Sequence, residues 1–537
     1  MLHANKIIMM KNITYILLFM LTLGGLGCKK FGDMNTDKTR STSLDPAAQL
    51  MYAQVYFSGD LGIQERTNYF MLIPMMQQFS GAFNMSFGAV YKKTPSYLWR
   101  MFDESYPNDI LNIVDAVERT KGVPTKTNLN AMCRIMKVYT FARLTDMYGD
   151  IPYFEAGKGY VAGVIRPKYD AQKDIYNDFL KELTEASTQL DASKDPVPNE
   201  YFYKGNIPAW KKFANSLRLR LALRLAKRDP EKAKTEVQAA YAAGVFTSNA
   251  DICMTRHENI PSSYQDQRPN GISTAWNVKN EMGRVVNTFL NALTSTNDPR
   301  VNALIRCYRE FNPVAPTRFL EREDITAQVR AKIGLVGGVP GAYNSDNVLS
   351  TTAIVLANGT SYTPRSIDLK PQLNHNLLRN DAPFFHITYG EVELLLADAT
   401  QRFGLNLGGS AQDHYYKGVE AAMQQLSLYP SGPVITAAEI SNFKTANPLI
   451  AGRELEQINT QLWIALLLNG NETYSNWRRS GFPVLTPSVT TESMSQTIPR
   501  RFEYPLTEKQ QNTDNINAAI QILGADDWTR RVWWDQE

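Results

Sequence analysis

The stretch Asn128 to Tyr148, NLNAMCRIMKVYTFARLTDMY, constrains the fold more than any other. At helical spacing it places apolar residues at Leu129, Met132, Cys133 and Met136, and again at Ile135, Val138, Phe141 and Ala142. A helix with one apolar stripe can lie on a surface, but one that is apolar on several faces must be sandwiched between neighbours. Further helical patterns run over Ala171 to Leu190, Ile387 to Phe403, Ser410 to Leu428 and Glu454 to Leu468. With 43% hydrophobic residues in a chain of 537, there is enough apolar surface to bury such a stack. The expectation is a mainly α fold.

The segment Ser216 to Arg228, SLRLRLALRLAKR, alternates leucine with arginine and so imitates a strand. Its residues are strong helix formers and none is β-branched, which favours a helix. Leu217, Leu221 and Leu225 would form the packing stripe, widened by Leu219, Leu223 and Ala226. Arg220, Arg224 and Lys227 would line a solvated side, and Asp229-Pro230 would end the helix. Five basic residues without base-stacking aromatics fall short of a nucleic-acid footprint. The net charge of +4, from 57 basic and 53 acidic residues, attracts no polyanion either. No nucleic-acid partner is expected.

At the N-terminus, Lys6 and Lys11 precede the apolar run Ile13 to Leu23, which breaks into Gly24-Gly25-Leu26-Gly27-Cys28. This is the layout of an export signal over residues 1–27, headed by Met1 or by Met10, and it is shorter than a bilayer-spanning helix. Small residues directly before a cysteine make Cys28 the expected lipidation site, where two or three acyl chains would anchor the protein stably to a membrane. An ordinary secretory signal with an incidental cysteine is the alternative. Residues 28–45 read as a polar tether and 46–537 as the folded domain. Cys133, Cys253 and Cys307 show no CxxC spacing and are expected to be buried apolar residues.

Several motifs occur together in order. They are Met147-Tyr148-Gly149-Asp150-Ile151-Pro152-Tyr153, Trp210 to Arg220 (WKKFANSLRLR), Asn476-Trp477-Arg478-Arg479-Ser480-Gly481-Phe482-Pro483, Arg500-Arg501-Phe502-Glu503-Tyr504-Pro505, Asn512-Thr513-Asp514-Asn515, and Val532-Trp533-Trp534-Asp535. As a set, spanning Cys28 to the C-terminus, they resemble the SusD/RagB family of outer-membrane nutrient-binding lipoproteins, in its SusD-like branch. The resemblance implies tetratricopeptide-like helix pairs forming a scaffold, with a less regular remainder holding the ligand. It also implies an outer-membrane location facing the cell exterior, an oligosaccharide or peptide ligand, and a SusC-like TonB-dependent transporter as partner. In physical terms Gly149 reads as a helix stop, Arg478-Arg479 as structural ion pairing between helices, and Trp528, Trp533 and Trp534 as packing against the scaffold.

Sugar recognition needs flat apolar faces for C–H surface and amide, carboxylate or guanidinium groups for hydroxyls. Two regions have that composition. Met75 to Trp99 contributes Phe83 and Tyr91, with Phe79, Phe87 and Tyr97 beside them, while Trp99 reads as core. Cys253 to Met282 contributes Tyr264, Asp266, Arg268, Asn270 and Trp276. Each aromatic has burial in the core as its alternative. The chain from about 254 to 380 reads as an irregular excursion. Its Gly334 to Gly341 run lacks the strand and GK[ST] of a phosphate cradle. No cofactor or metal is expected, because five histidines in no ligand spacing and no GxSxG elbow signal no catalytic site. A non-enzymatic binding protein is the reading, with a lipid-anchored hydrolase or a helical-repeat adaptor without small ligand as alternatives.

Overall fold

A computed structural model describes residues 44–81, 85–260, 266–278, 283–310, 322–338, 353–363 and 369–537. Residues 46–537 form one compact unit. Its main helices are α1 (Pro46–Gly59), α2 (Leu111–Thr120), α3 (Thr127–Tyr148), α4 (Gln172–Gln189), α5 (Ile207–Arg224), α6 (Pro230–Ala243), α7 (Gly271–Val278), α8 (Asn287–Thr294), α9 (Tyr389–Phe403), α10 (Ala411–Gln424), α11 (Glu454–Ala465), α12 (Gly470–Ser480) and α13 (Thr513–Leu523). From α2 to α6 each helix packs on the next, and α1 lies against α2 and α3. A second group follows, with α9 packed on α10 and α11, α11 on α12, and α9 joined back to α5. No described helix is long and apolar enough to cross a membrane.

The sandwich expected for Asn128 to Tyr148 is present. Of the 22 residues of α3, only Thr127, Arg134 and Lys137 are short of full burial. Gly149 stops the helix at a positive φ of 85°, and its N–H donates to the Thr145 carbonyl. A side chain there would be strained. The other four expected helices occur within two residues of their anticipated starts. The last turn anticipated for Ser410 to Leu428 tightens into a 3₁₀ turn, Gln425–Leu428.

Helix α5 corrects one expectation. It ends at Arg224, four residues before Arg228, and Asp229 caps the following helix by accepting the Lys232 N–H at 3.2 Å. Its arginine side is not solvated. Arg218, Arg220 and Arg224 are buried, while Lys227 and Arg228 are exposed. The cause is that α5 has α4, α6 and α9 around it, so it has no free face. The charges are met by buried acids instead. Arg220 forks onto Glu391 at 2.6 and 2.7 Å and donates to the His386 carbonyl. Arg224 pairs with Glu472 and, at 3.3 Å, with Asp146, which also accepts the Trp534 indole N–H at 2.9 Å and the Tyr176 hydroxyl. Burial works to raise the carboxyl pKa of Glu472, but Arg220 and Arg224 together hold it below its usual range.

A second buried cluster joins α9, α11 and α12. Asp398 meets Arg402 at 2.8 Å, Arg479 at 3.1 Å and the Asn459 amide at 2.7 Å. Arg478 donates to the Arg500 carbonyl and lies 4.0 Å over the Tyr474 ring. Arg479 makes the ion pair between helices that the motif suggested, whereas Arg478 is held by a carbonyl and an aromatic ring. Trp528 and Trp534 are buried and Trp533 and Trp99 pack partly buried against the core. All three described cysteines are buried and unpaired.

The remainder is irregular. Short antiparallel pairs, Phe79–Ser80 with Arg284–Val285 and Cys253–Thr255 with Phe384–Ile387, stitch distant segments together. Within the excursion Cys307, Ile325, Val329, Ile354, Leu356 and Leu369 form a small core of their own. Gly334 ends the helix Thr326–Ile333, Gly338 bridges to Val286, and residues 339–341 lie outside the described residues.

Candidate functional site

Both regions singled out for ligand binding pack on one element, a π-helix over Ile63–Leu72 whose backbone closes i→i+5 bonds, as from Ile73 N–H to the Asn68 carbonyl. Such wide turns are over-represented at functional sites. Helix α7 lies against one part of it, where a Cβ on Gly271 would come within 2.8 Å of Gln64. The short helix Met85–Ala89 lies against another, and a Cβ on Gly88 would strike the Met71 backbone. Ser80 stands opposite Arg284 in the strand pair, which brings the two regions together at this point.

Beneath these elements the aromatics form a closed floor. The Trp276 ring lies 5.0 Å from Tyr69 and 5.1 Å from Phe79, and Phe289 stands between Phe79 at 5.8 Å and Trp463 at 5.2 Å. Trp276, expected as a ligand contact, is wholly buried in this floor. Tyr91 is buried as well. Its phenol oxygen accepts the Ser488 N–H at 3.0 Å and its carbonyl accepts that of Met494 at 3.1 Å, so it fastens the 488–494 segment. Asn270 is buried as the cap of α7, accepting from Ser273 N–H at 3.1 Å and donating to the Ala382 carbonyl at 3.0 Å. The cavity beside it measures about 20 Å³, room for a water and no sugar ring. Trp276 and Tyr91 thus take the alternative of burial in the core, because the floor needs the same flat rings that a sugar would, and Asn270 serves as a helix cap.

Arg268 is at the surface, where it forks onto Asp266 at 3.0 and 2.7 Å and approaches Glu258 at 3.5 Å. Cys28, Phe83 and Tyr264 lie outside the described residues. Phe87 and Tyr97 are named in the first region beside the candidates Phe83 and Tyr91 without being chosen themselves. They are half-buried and stacked, with centroids 5.8 Å apart at 28°, and Lys92 sits 4.9 Å above Phe87 while pairing with Glu492 at 3.2 Å. The signal for them was present, since both stand in the same aromatic run as Phe83 and Tyr91. The arrangement offers a half-buried aromatic pair with an ammonium over one ring and, in the segment before α7, a surface guanidinium–carboxylate fork. These are groups that bind by stacking and hydrogen bonding rather than by bond chemistry. Among the described residues no three His, Cys, Asp or Glu side chains gather as a metal site.

A family profile described as "Starch-binding associating with outer membrane" matches residues 36–505. The chain belongs to the SusD-like family. Solved structures agree with this membership along their length. A chitin-binding protein is 36% identical with a TM-score of 0.79, covering 92% of this chain and 100% of its own. A SusD-like protein from Bacteroidetes is 31% identical with a TM-score of 0.84 over the same shares. A chitin-binding SusD homologue from Flavobacterium johnsoniae, at 23% identity and a TM-score of 0.69 over 91% of this chain and 98% of its own, shares the fold. No curated protein matches. The SusD-like membership accounts for the paired helices of the scaffold and for the irregular remainder set against them.

Proposed function

We propose that this SusD-like protein captures oligosaccharides at the rim of the π-helix and delivers them intact to a SusC-like TonB-dependent transporter. In this reading it is held on the outer face of the outer membrane by acyl chains on Cys28. The observation that carries it is the 36% identity, over nearly the whole chain, to a protein whose name records chitin binding. Phe87 and Tyr97 supply the stacking faces, and Lys92, Asp266 and Arg268 the polar edges. N-acetylglucosamine oligomers are the first ligands to try.

Calorimetry with residues 29–537 tests the reading. Chitooligosaccharide is expected to bind and to be recovered unshortened, and Phe87→Ala or Tyr97→Ala to weaken binding about tenfold, in keeping with roughly 1–1.5 kcal/mol for one aromatic face. Release of shorter products would instead make the protein a hydrolase. Binding of no glycan at all would sink the proposal. Mass spectrometry of the membrane-extracted protein checks the acyl chains on Cys28, and affinity capture of a large outer-membrane barrel checks the transporter.

A further inference from the structure

Helices α2, α3 and α4, with the segment following Gly149, enclose a cleft of about 720 Å³. That volume falls in the range of small-ligand sites, roughly 300–1,000 Å³. None of its lining residues belongs to the π-helix or to the segments packed on it. Five basic and four acidic side chains line it, and the acids are engaged. Glu182 and Glu185 are held by Arg134 at 2.8 and 2.5 Å, Glu118 by Lys158 at 3.1 Å, and Asp178 accepts the Tyr153 hydroxyl at 2.7 Å.

Lys137 differs from the other cations in being unpaired yet half-buried, since Lys121, also without an acceptor among the described residues, is exposed. The Lys137 ammonium stands 4.5 Å from the Tyr153 ring centroid and, among the described residues, donates to no acceptor. Lys137 is one of four residues of α3 that line the cleft, with Thr127, Asn130 and Arg134. Burial lowers its pKa, against the pull of Glu182 and Asp178. Beside it Phe154, whose ring lies 4.9 Å from that of Tyr153, is 42% exposed. A partly desolvated ammonium gains most from an anionic partner. An exposed ring next to it favours a ligand with a C–H face.

We propose that this cleft binds a carboxylated sugar residue of the hexuronate class, its carboxylate on Lys137 and its C–H face on Phe154. This site is distinct from the π-helix rim and stands whether or not a neutral glycan binds there.

Saturation-transfer NMR and calorimetry on the full chain, with trigalacturonate compared against maltotriose and acetate, test the proposal. Trigalacturonate is expected to bind, Lys137→Met and Phe154→Ala each to weaken it about tenfold or more, and Lys137→Arg to retain it. Melting curves report whether each variant folds, and the exposed Phe154→Ala keeps the test open if Lys137→Met does not. Unchanged binding in these variants, or equal binding of maltotriose or acetate, would overturn it. Phe87→Ala, which touches only the rim, is expected to leave trigalacturonate binding at this cleft unaltered.

Discussion

At the scale of single residues, burial decides which of two similar side chains can meet a ligand. Trp276 touches Tyr69 and Phe79 on both sides, so Trp276→Ala opens a cavity and is expected to cost about 3–5 kcal/mol in urea unfolding. Phe87→Ala, by contrast, is expected to leave the unfolding midpoint nearly in place while reducing glycan binding. The buried charges behave in another way. Glu472→Ala leaves Arg224 with the more distant Asp146 alone and Arg220 with Glu391 alone, and the expected loss is about 3 kcal/mol. Replacing Arg224 and Glu472 together by methionine is expected to cost less than the two single losses combined, because neither charge is then left unpaired. Unfolding curves of the three variants check this. Composition showed that Met75 to Trp99 and Cys253 to Met282 were rich in rings and amides, but depth is set by which elements pack on which, and the pairing through the π-helix has no signal within either segment.

At the scale of elements, the legible helices were those whose period was written in their own residues. Helix α3 was readable because several of its faces are apolar, and α9 to α11 because charges fill the alternate positions. The arginines of α5 were misassigned to solvent for a definite reason. Their partners Asp146, Glu391 and Glu472 sit on three other helices, and nothing near Ser216 to Arg228 marks them. Close approach between helices is equally invisible in one dimension. Where α9 meets α10, a Cβ on Gly418 would fall 2.6 Å from Leu394 Cγ and 3.0 Å from the Gly390 carbonyl oxygen. Alanine in a helix interior normally gains about 0.5–1 kcal/mol over glycine. Here the overlap outweighs that gain, and Gly418→Ala is expected to destabilise by about 1–3 kcal/mol in denaturant titration.

At the scale of the whole molecule, two buried histidines link stability to acidity. His257, bonded to Ser58 and to the Arg268 carbonyl, has its pKa lowered to about 4 by burial. His386 is pushed well below its usual value by burial and by Arg143. In both cases the unfolded chain takes up protons first, so the stability they support is complete above about pH 6.5 and is lost as pH falls below it, for His257 down to about pH 4. For His257 the loss amounts to roughly 3 kcal/mol. Urea midpoints are expected to fall across that window, and His257→Asn to flatten the decline; a decline of unchanged steepness in the variant would remove His257 as its source.

The bond between Trp534 and Asp146 spans 388 positions of sequence. Asp146, Arg224 and Glu472 meet in one interior cluster, so a polypeptide emerging from the ribosome holds the first two in an unfinished cavity until the third, and then the tryptophan, are made. Closing that cluster waits on contacts between residues far apart in sequence, which slows folding of the scaffold relative to one built on local contacts.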